Sequence, residues 1–168
     1  IYQCDWSSDV CSSDLAGWAV ALAGMSVGLL VGGVIATRVR VGRPMMTAML
    51  GMLALPVLLL TLAFTLNLVV VTAAAFVLGI AFELMGVLWF TALQTHVPRE
   101  SLSRVSAYDA MGSLMFGPIG LALAGPLIGV VGLQTGFLIA AAVITVALLA
   151  TLLSTSVRNV RSVVVPGG

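Results

Sequence analysis

The chain has 168 residues, of which 61% are hydrophobic and 8% are charged, and its mean hydropathy is +1.21. A soluble domain carries about 25% charged residues, so this composition cannot cover a water-facing surface and excludes an ordinary soluble protein. The formal net charge is only +1, and we expect no nucleic-acid partner.

Residues 1–15 differ in composition from everything that follows. They hold both cysteines, Cys4 and Cys11, and three of the six acids, and the tripeptide Ser-Ser-Asp occurs in them twice. A secretory signal would need a basic start and an apolar core, which this segment lacks. The segment is similar to a translated sequencing-adapter peptide, so we expect it to be non-native and the protein's own sequence to start near Ala16. The alternative is a polar extramembrane segment with a Cys4–Cys11 disulfide.

Five apolar stretches follow, at about residues 16–37, 44–66, 68–95, 106–131 and 134–155. Each is long enough to cross about 30 Å of hydrocarbon as a helix. Gly24, Gly28 and Gly32 share one face of the first helix and predict the close approach of another helix. Pro56 predicts a kink in the second. The predicted fold class is all-α: a polytopic membrane protein with five transmembrane helices in one domain, residues 16–157.

The seven basic residues are all arginines, and they occur in alternate connections between the spans. Three follow the first span, two follow the third and two follow the fifth: Arg38, Arg40 and Arg43; Arg99 and Arg104; Arg158 and Arg161. With alternating crossings, all seven fall on one side of the membrane. Arginine-rich loops remain in the cytoplasm, so we predict a multi-pass protein of a membrane that borders the cytoplasm, which in a bacterium is the inner membrane, with a cytoplasmic tail at residues 158–168.

Glu83 is the only acid in the middle of an apolar span, within FVLGIAFELMGVLWF. An ionised acid at this depth costs a few kcal/mol, so it must face a cavity, find a partner or become protonated. Gly79, Phe82, Gly86 and Phe90 share its helix face, and the glycines would leave room for a helix, water or ligand. We interpret Glu83 as a group that binds a proton or a cationic substrate. The alternative is a buried acid that only joins helices by hydrogen bonds.

The remaining polar residues give weaker indications. Asp109 lies in the first turns of the fourth span, where the helix dipole favours a negative charge, and it is interpreted as a structural anchor or a gating group. Pro98 is expected to end the third helix, with Ser101 or Ser103 capping the next. No phosphate-binding loop, metal cluster or hydrolase motif is present. We therefore expect no cofactor, no metal and no enzymatic activity.

Residues 91–129, TALQTHVPRESLSRVSAYDAMGSLMFGPIGLALAGPLIG, resemble part of the major facilitator superfamily. The similar part is the end of the tenth helix, the following cytoplasmic loop and the eleventh helix, and the nearest branch includes the bacterial enterobactin and macrolide exporters. The resemblance extends over about residues 16–161 as helices eight to twelve of twelve. It implies proton-coupled export of a small amphipathic compound, such as a drug or siderophore, through a cavity between two six-helix halves.

Under this resemblance the chain would need the missing N-terminal half of the same transporter, with lipid around both, and would be inactive alone. Residues 33–43 resemble the second-half counterpart of the family's cytoplasmic signature loop, although Thr37 replaces its acid. Five residues of the fourth span resemble the Gly/Pro signature of antiporters and are candidates for gating or helix packing: Gly117, Pro118, Gly120, Gly125 and Pro126. The alternative function is a non-transporting membrane scaffold or anchor.

Overall fold

A computed structural model describes residues 9–38, 42–65 and 67–154, with side chains from Leu15 onward. The described residues form six helices and no strand: α1 Asp9–Arg38, α2 Pro44–Gly51, α3 Ala54–Phe64, α4 Leu68–His96, α5 Arg99–Val131 and α6 Leu133–Leu153. Helices α2 and α3 together make one span, so five helical segments are long and apolar enough to cross a membrane. The predicted all-α class with five spans is confirmed.

The second span is interrupted four residues before its proline. Helix α2 ends at Gly51 and α3 begins at Ala54. Pro56 has no N–H to donate to the carbonyl of Met52, and its ring would collide with that carbonyl in a regular helix. The Met52 carbonyl instead accepts from the amide of Leu55 at 3.1 Å, and Leu53 donates to Leu50 at 3.2 Å. The kink predicted from Pro56 is therefore present as a short turn.

Helix α5 begins earlier than the sequence suggested. Pro98 ends α4, as predicted, but its carbonyl then accepts from the amides of Ser101 at 2.9 Å and Leu102 at 3.1 Å. These bonds start α5 at Arg99 without a serine cap, and no side-chain cap is formed. Only Val97 and Pro98 separate the two helices, so Arg99 and Arg104 lie in the first turns of α5 and not in a loop. The predicted serine caps are therefore wrong, and the helix begins before residue 106, where the span was predicted to start.

Helices α1 and α4 form the main packing contact of the molecule. A Cβ placed on Gly24 would lie 2.6 Å from Thr72 Cγ2, one on Gly28 would collide with the carbonyl oxygen of Phe76, and one on Gly32 would lie 2.8 Å from the carbonyl oxygen of Ile80. The glycine face predicted in the first span is thus confirmed as a close helix contact. The residue numbers at these contacts increase together in the two helices, so α1 and α4 run parallel.

The arginine-bearing ends of the helices lie at one end of the bundle. Because α1 and α4 are parallel, the last residues of both helices, Arg38 and His96, lie at the same end. Thr151, near the end of α6, donates to Met49 Sδ in α2 at 3.9 Å, which places the end of α6 beside the start of α2. The helix ends next to Arg38, Arg43, Arg99 and Arg104 therefore share one end. Arg40, Arg158 and Arg161 lie outside the described residues, as does the tail.

Helix α5 has no buried residue. Near its start, Trp89 Nε1 of α4 donates to Asp109 Oδ2 at 3.4 Å. Near its end, Gly132 joins it to α6 in a turn with φ +82°, a conformation that favours glycine. A Cβ on Gly136 of α6 would lie 3.4 Å from Ile128 Cγ1. The described helices therefore contact α5 near its two ends and leave its middle uncovered.

Candidate functional site

Glu83 lies near the middle of α4 and is half-buried against two glycines of α1. A Cβ placed on Gly32 would come within 2.9 Å of Glu83 Cβ. One placed on Gly33 would lie 3.9 Å from both Glu83 Cγ and Glu83 Oε1. The first glycine lets the helices approach at the acid, and the second leaves space beside its carboxyl oxygen.

The space beside Glu83 is an open groove of about 380 Å³. Helix α1 supplies all of its other lining residues, which are Leu29, Leu30, Gly33, Val34 and Thr37. Glu83 and Thr37 are its only polar side chains. The Thr37 hydroxyl donates to the carbonyl of Val34 at 2.8 Å, as serines and threonines in helices commonly do. The groove is thus mainly apolar, with a carboxyl group and a hydroxyl oxygen in its wall.

No described side chain pairs with Glu83. Within residues 15–38, 42–65 and 67–154 it forms neither a salt bridge nor a side-chain hydrogen bond. Arg38 follows Thr37 and is exposed. Gly33 precedes Arg38 by about 7.5 Å of helix rise. The carboxyl group is therefore central in α4 but close to the arginine-bearing end of α1.

Glycines of both helices shape the surroundings of Glu83. On its own helix, Gly79 contacts α1 next to Gly28, and no described atom lies within 4 Å of a Cβ placed on Gly86. Gly79 therefore admits a neighbouring helix, and Gly86 adjoins open space. Phe82 and Phe90 are 54% and 55% exposed, so they face away from the packed interface. The glycines that lie against the acid itself are Gly32 and Gly33 of α1. The run of glycines every four residues indicated Gly32, whereas Gly33 was noted only as the start of the segment that resembles the signature loop.

Asp109 lies between α5 and α4 and accepts from Trp89 Nε1 at 3.4 Å. It is half-buried, and no bond to Arg104, five residues earlier, is formed. This hydrogen bond supports the interpretation of Asp109 as an anchor between two helices. The sequence did not indicate Trp89 as its partner, because the two residues are 20 positions apart on different helices.

The Gly/Pro residues of α5 are not brought to Glu83. Gly117, Pro118, Gly120, Gly125 and Pro126 are all exposed, and α5 continues through both prolines. No described atom lies within 4 Å of a Cβ placed on any of these three glycines. The close packing expected of this face is therefore not formed with any described helix.

The four described arginines at the bundle end are exposed. Arg43 approaches Met46 Sδ at 3.9 Å, and none of the four forms a salt bridge with a described residue. The predicted role of Arg38, Arg43, Arg99 and Arg104 in setting the topology requires no such partner. Nothing in their surroundings suggests a metal, and no cluster of potential metal ligands occurs among the described residues.

A second groove, of about 710 Å³, separates α2 and α3 from α4. Its lining has no charged residue, and its only polar side chain is Thr61, whose hydroxyl donates to the carbonyl of Leu58 at 2.7 Å. Polar groups give a ligand site its specificity. The smaller groove beside Glu83 is therefore the candidate site.

Comparison with known proteins identifies one family. The family model described as Major Facilitator Superfamily matches residues 3–166. Neither the comparison with curated proteins nor that with solved structures gave a match. The family match begins inside residues 1–15 and does not set that segment apart, so its non-native origin stays a prediction.

Proposed function

Because the chain belongs to the Major Facilitator Superfamily, a family of membrane transporters, we propose that it is the C-terminal part of a secondary transporter. Its five spans correspond to helices eight to twelve, and the exported compound is small and amphipathic, such as a drug or siderophore. Export is driven by exchange with protons. In this proposal Glu83 is the group that holds either the proton or the substrate's positive charge, and the protein is a transporter and not an enzyme.

The observation that carries this proposal is the environment of Glu83. A scaffold would be expected to close on itself and pair its intramembrane acid, because an unpaired charge in lipid is costly. Among the described residues Glu83 has no such partner, and it lines an open groove. A proton or a cation arriving from outside the bundle would neutralise it, and the two would compete for the same carboxyl group.

The uncovered surface of α5 supports a larger assembly. Its Gly/Pro segment has no described neighbour, although it contains small residues of the kind that permit close helix packing. We propose that the N-terminal half of the transporter packs there and forms the second wall of the cavity, as in transporters built from two repeats. The chain alone would then not transport.

The arrangement of the arginines supports an orientation. Four of them adjoin helix ends at one end of the bundle, and we propose that this end faces the cytoplasm of a bacterium, with the C-terminus on the same side. The bacterial enterobactin and macrolide exporters remain the proposed branch, on the resemblance of residues 91–129.

The Glu83→Gln variant tests the proposed coupling in a transporter that contains these helices together with an N-terminal half. Gln keeps the shape of the side chain but cannot release a proton or carry a negative charge. We expect proton-driven efflux from vesicles to fall by at least about tenfold, the low end of losses when a positioned proton-transfer group is removed. Glu100→Gln, the same change at an exposed acid in the first turn of α5, is the matched control and should retain most efflux. Unchanged efflux in Glu83→Gln would remove this residue from the mechanism.

A second measurement tests the need for the other half. The chain reconstituted alone in liposomes should not accumulate any substrate against a gradient. Transport by the isolated chain would refute the proposed division of the cavity between two halves.

A further inference from the structure

We propose that the groove beside Glu83 binds the protonated primary or secondary amine of an amphipathic compound and discriminates against a quaternary ammonium of the same charge. This inference rests on the proposed function and names the substrate class that its acid would recognise. It is carried by Glu83, Thr37 and Gly33.

The polar atoms of the groove accept hydrogen bonds and do not donate them. An ionised carboxylate is an acceptor only, whereas a hydroxyl has one donor and two acceptor lone pairs. The donor of Thr37 is already used, because its hydroxyl bonds the Val34 carbonyl at 2.8 Å. Thr37 therefore offers the groove an oxygen acceptor and no proton. An anionic ligand would find no donor in this lining, and the carboxylate would repel it.

The two acceptors line the same groove. Gly33 lies beside Glu83 Oε1, and Thr37 follows one turn later on the same face of α1. A protonated primary or secondary amine carries at least two N–H groups, each able to form a charged N–H···O bond of about 2.8 Å, so it has one donor for each of the two acceptors. A quaternary nitrogen carries no N–H and is surrounded by carbon, so it can form neither bond.

The rest of the groove suits the apolar part of such a compound. Leu29, Leu30 and Val34 line it, and they offer hydrocarbon contact to an alkyl or aromatic group. Arg38, which follows Thr37, carries a charge of the same sign as the ligand. Its position lies about 100° around the helix from that of Thr37, so it does not line the groove.

Gly33 keeps the carboxylate accessible, unlike its neighbour Gly32. A methyl group at Gly33 would make only ordinary contacts, 3.9 Å from Glu83 Oε1, so it would cover the acid without displacing the helices. A methyl group at Gly32 would lie 2.8 Å from the backbone of Ile80 and disturb the packing. Gly33 is therefore a specificity position, and Gly32 is a packing position.

The test compares two probes that differ only at nitrogen, hexylammonium and hexyltrimethylammonium. Binding to the full chain in nanodiscs of neutral lipid is measured by calorimetry, with empty nanodiscs subtracted. We expect hexylammonium to bind about tenfold more tightly, as loss of a charged hydrogen bond implies. Thr37→Val should reduce this ratio. Gly33→Ala should weaken hexylammonium binding about fivefold, while the exposed control Gly129→Ala, where an added methyl group would meet no described atom within 4 Å, should leave it unchanged.

The outcomes separate this inference from the function on which it rests. Equal binding of both probes to the unaltered chain would overturn the amine preference, and this comparison does not depend on any variant folding. If Glu83→Gln then abolished binding of both probes, the cation-binding role of Glu83 would stand without the preference. If Glu83→Gln bound both probes like the unaltered chain, the amine site and the proposed role of Glu83 would both fall.

Discussion

Neighbouring glycines of α1 have different functions in this molecule. Gly28 and Gly32 permit backbone contact with α4, whereas Gly33 opens space beside an acid and touches nothing closely. On α5, Gly120 has no described neighbour at all. Glycine thus permits close helix packing at Gly28 and Gly32, leaves the Glu83 carboxyl accessible at Gly33, and lies on an uncovered surface at Gly120. Adding a methyl group therefore has a different consequence at each site.

We expect Gly28→Ala to destabilise the packing of α1 on α4. The added methyl group would collide with the backbone of Phe76, which cannot yield as a flexible side chain does. Overpacking of this kind costs about 2 kcal/mol, and the free energy of unfolding, measured by denaturing-detergent titration, should fall by about that amount. Gly120→Ala is the matched control and should be neutral or slightly stabilising. An equal effect of both substitutions would contradict the close contact.

A single residue could be identified from the sequence only where its side chain differed in polarity from the residues around it. Glu83 was identified because an acid is rare in an apolar span. Gly33 and Thr37, which complete its surroundings, were noted only within the segment that resembles the signature loop, since their relation to Glu83 depends on the rotation and offset of α1 against α4. The Trp89–Asp109 hydrogen bond was missed for the same reason.

The proline of the second span and the prolines of α5 affect their helices differently. Pro56 interrupts its span at Gly51–Leu53, whereas α5 runs through Pro118 and Pro126 without a break. The interrupted span is packed against α4, with Pro56 buried in α3, while α5 is unburied at both prolines. A proline alone therefore predicts that one backbone hydrogen bond of the helix is lost. Whether the helix is interrupted or continuous at that site depends on the packing around it.

We expect Pro56→Ala to join α2 and α3 into one helix. The substitution restores an amide that can donate to the Met52 carbonyl, which now accepts from Leu55. Hydrogen–deuterium exchange should slow at residues 53–56, including the new amide of residue 56. Pro118→Ala serves as control and should change exchange only within its own turn. Unchanged exchange at residues 53–55 in Pro56→Ala would show that another constraint produces the turn.

The existence and order of the helices were predictable, because long uncharged stretches have few alternatives in lipid. The start of α5 was not. Charged and polar residues from Arg99 to Arg104 are typical of a loop, yet each is compatible with a helix, and the carbonyl of Pro98 satisfies the first turn. The change in composition at residues 99–104 was interpreted as a loop between spans, whereas α5 includes these residues.

In the molecule as a whole, the helix ends next to the four described arginines lie at one end of the bundle. The alternation of arginine-bearing connections along the sequence predicts the same arrangement for these four. The sequence argument used only alternating crossings and the side preference of arginine. In the structure, the parallel contact of α1 with α4 and the contact of Thr151 with Met49 bring together the helix ends beside the four described arginines, Arg38, Arg43, Arg99 and Arg104.

We expect cysteine labelling in membrane vesicles to report this orientation. In a Cys4→Ser, Cys11→Ser background, Arg43→Cys and Arg99→Cys should react with an impermeant maleimide only in inside-out vesicles. Asn67→Cys and Gln134→Cys, at the opposite helix ends, should react only in right-side-out vesicles. Labelling of the two arginine positions from different sides would disprove the five-crossing topology.

The parallel contact of α1 with α4 also has a consequence for biosynthesis. Two parallel spans cannot be consecutive crossings, so α1 enters the bilayer well before its main partner has been made. Gly28 and Gly79 are about fifty residues apart, and at ribosomal rates of about 5–20 residues per second the delay is several seconds. During that interval the glycine face of α1 must be covered by lipid, by the insertion machinery or, in the proposed full transporter, by spans made earlier. This is the stage of synthesis at which a membrane chaperone would bind α1.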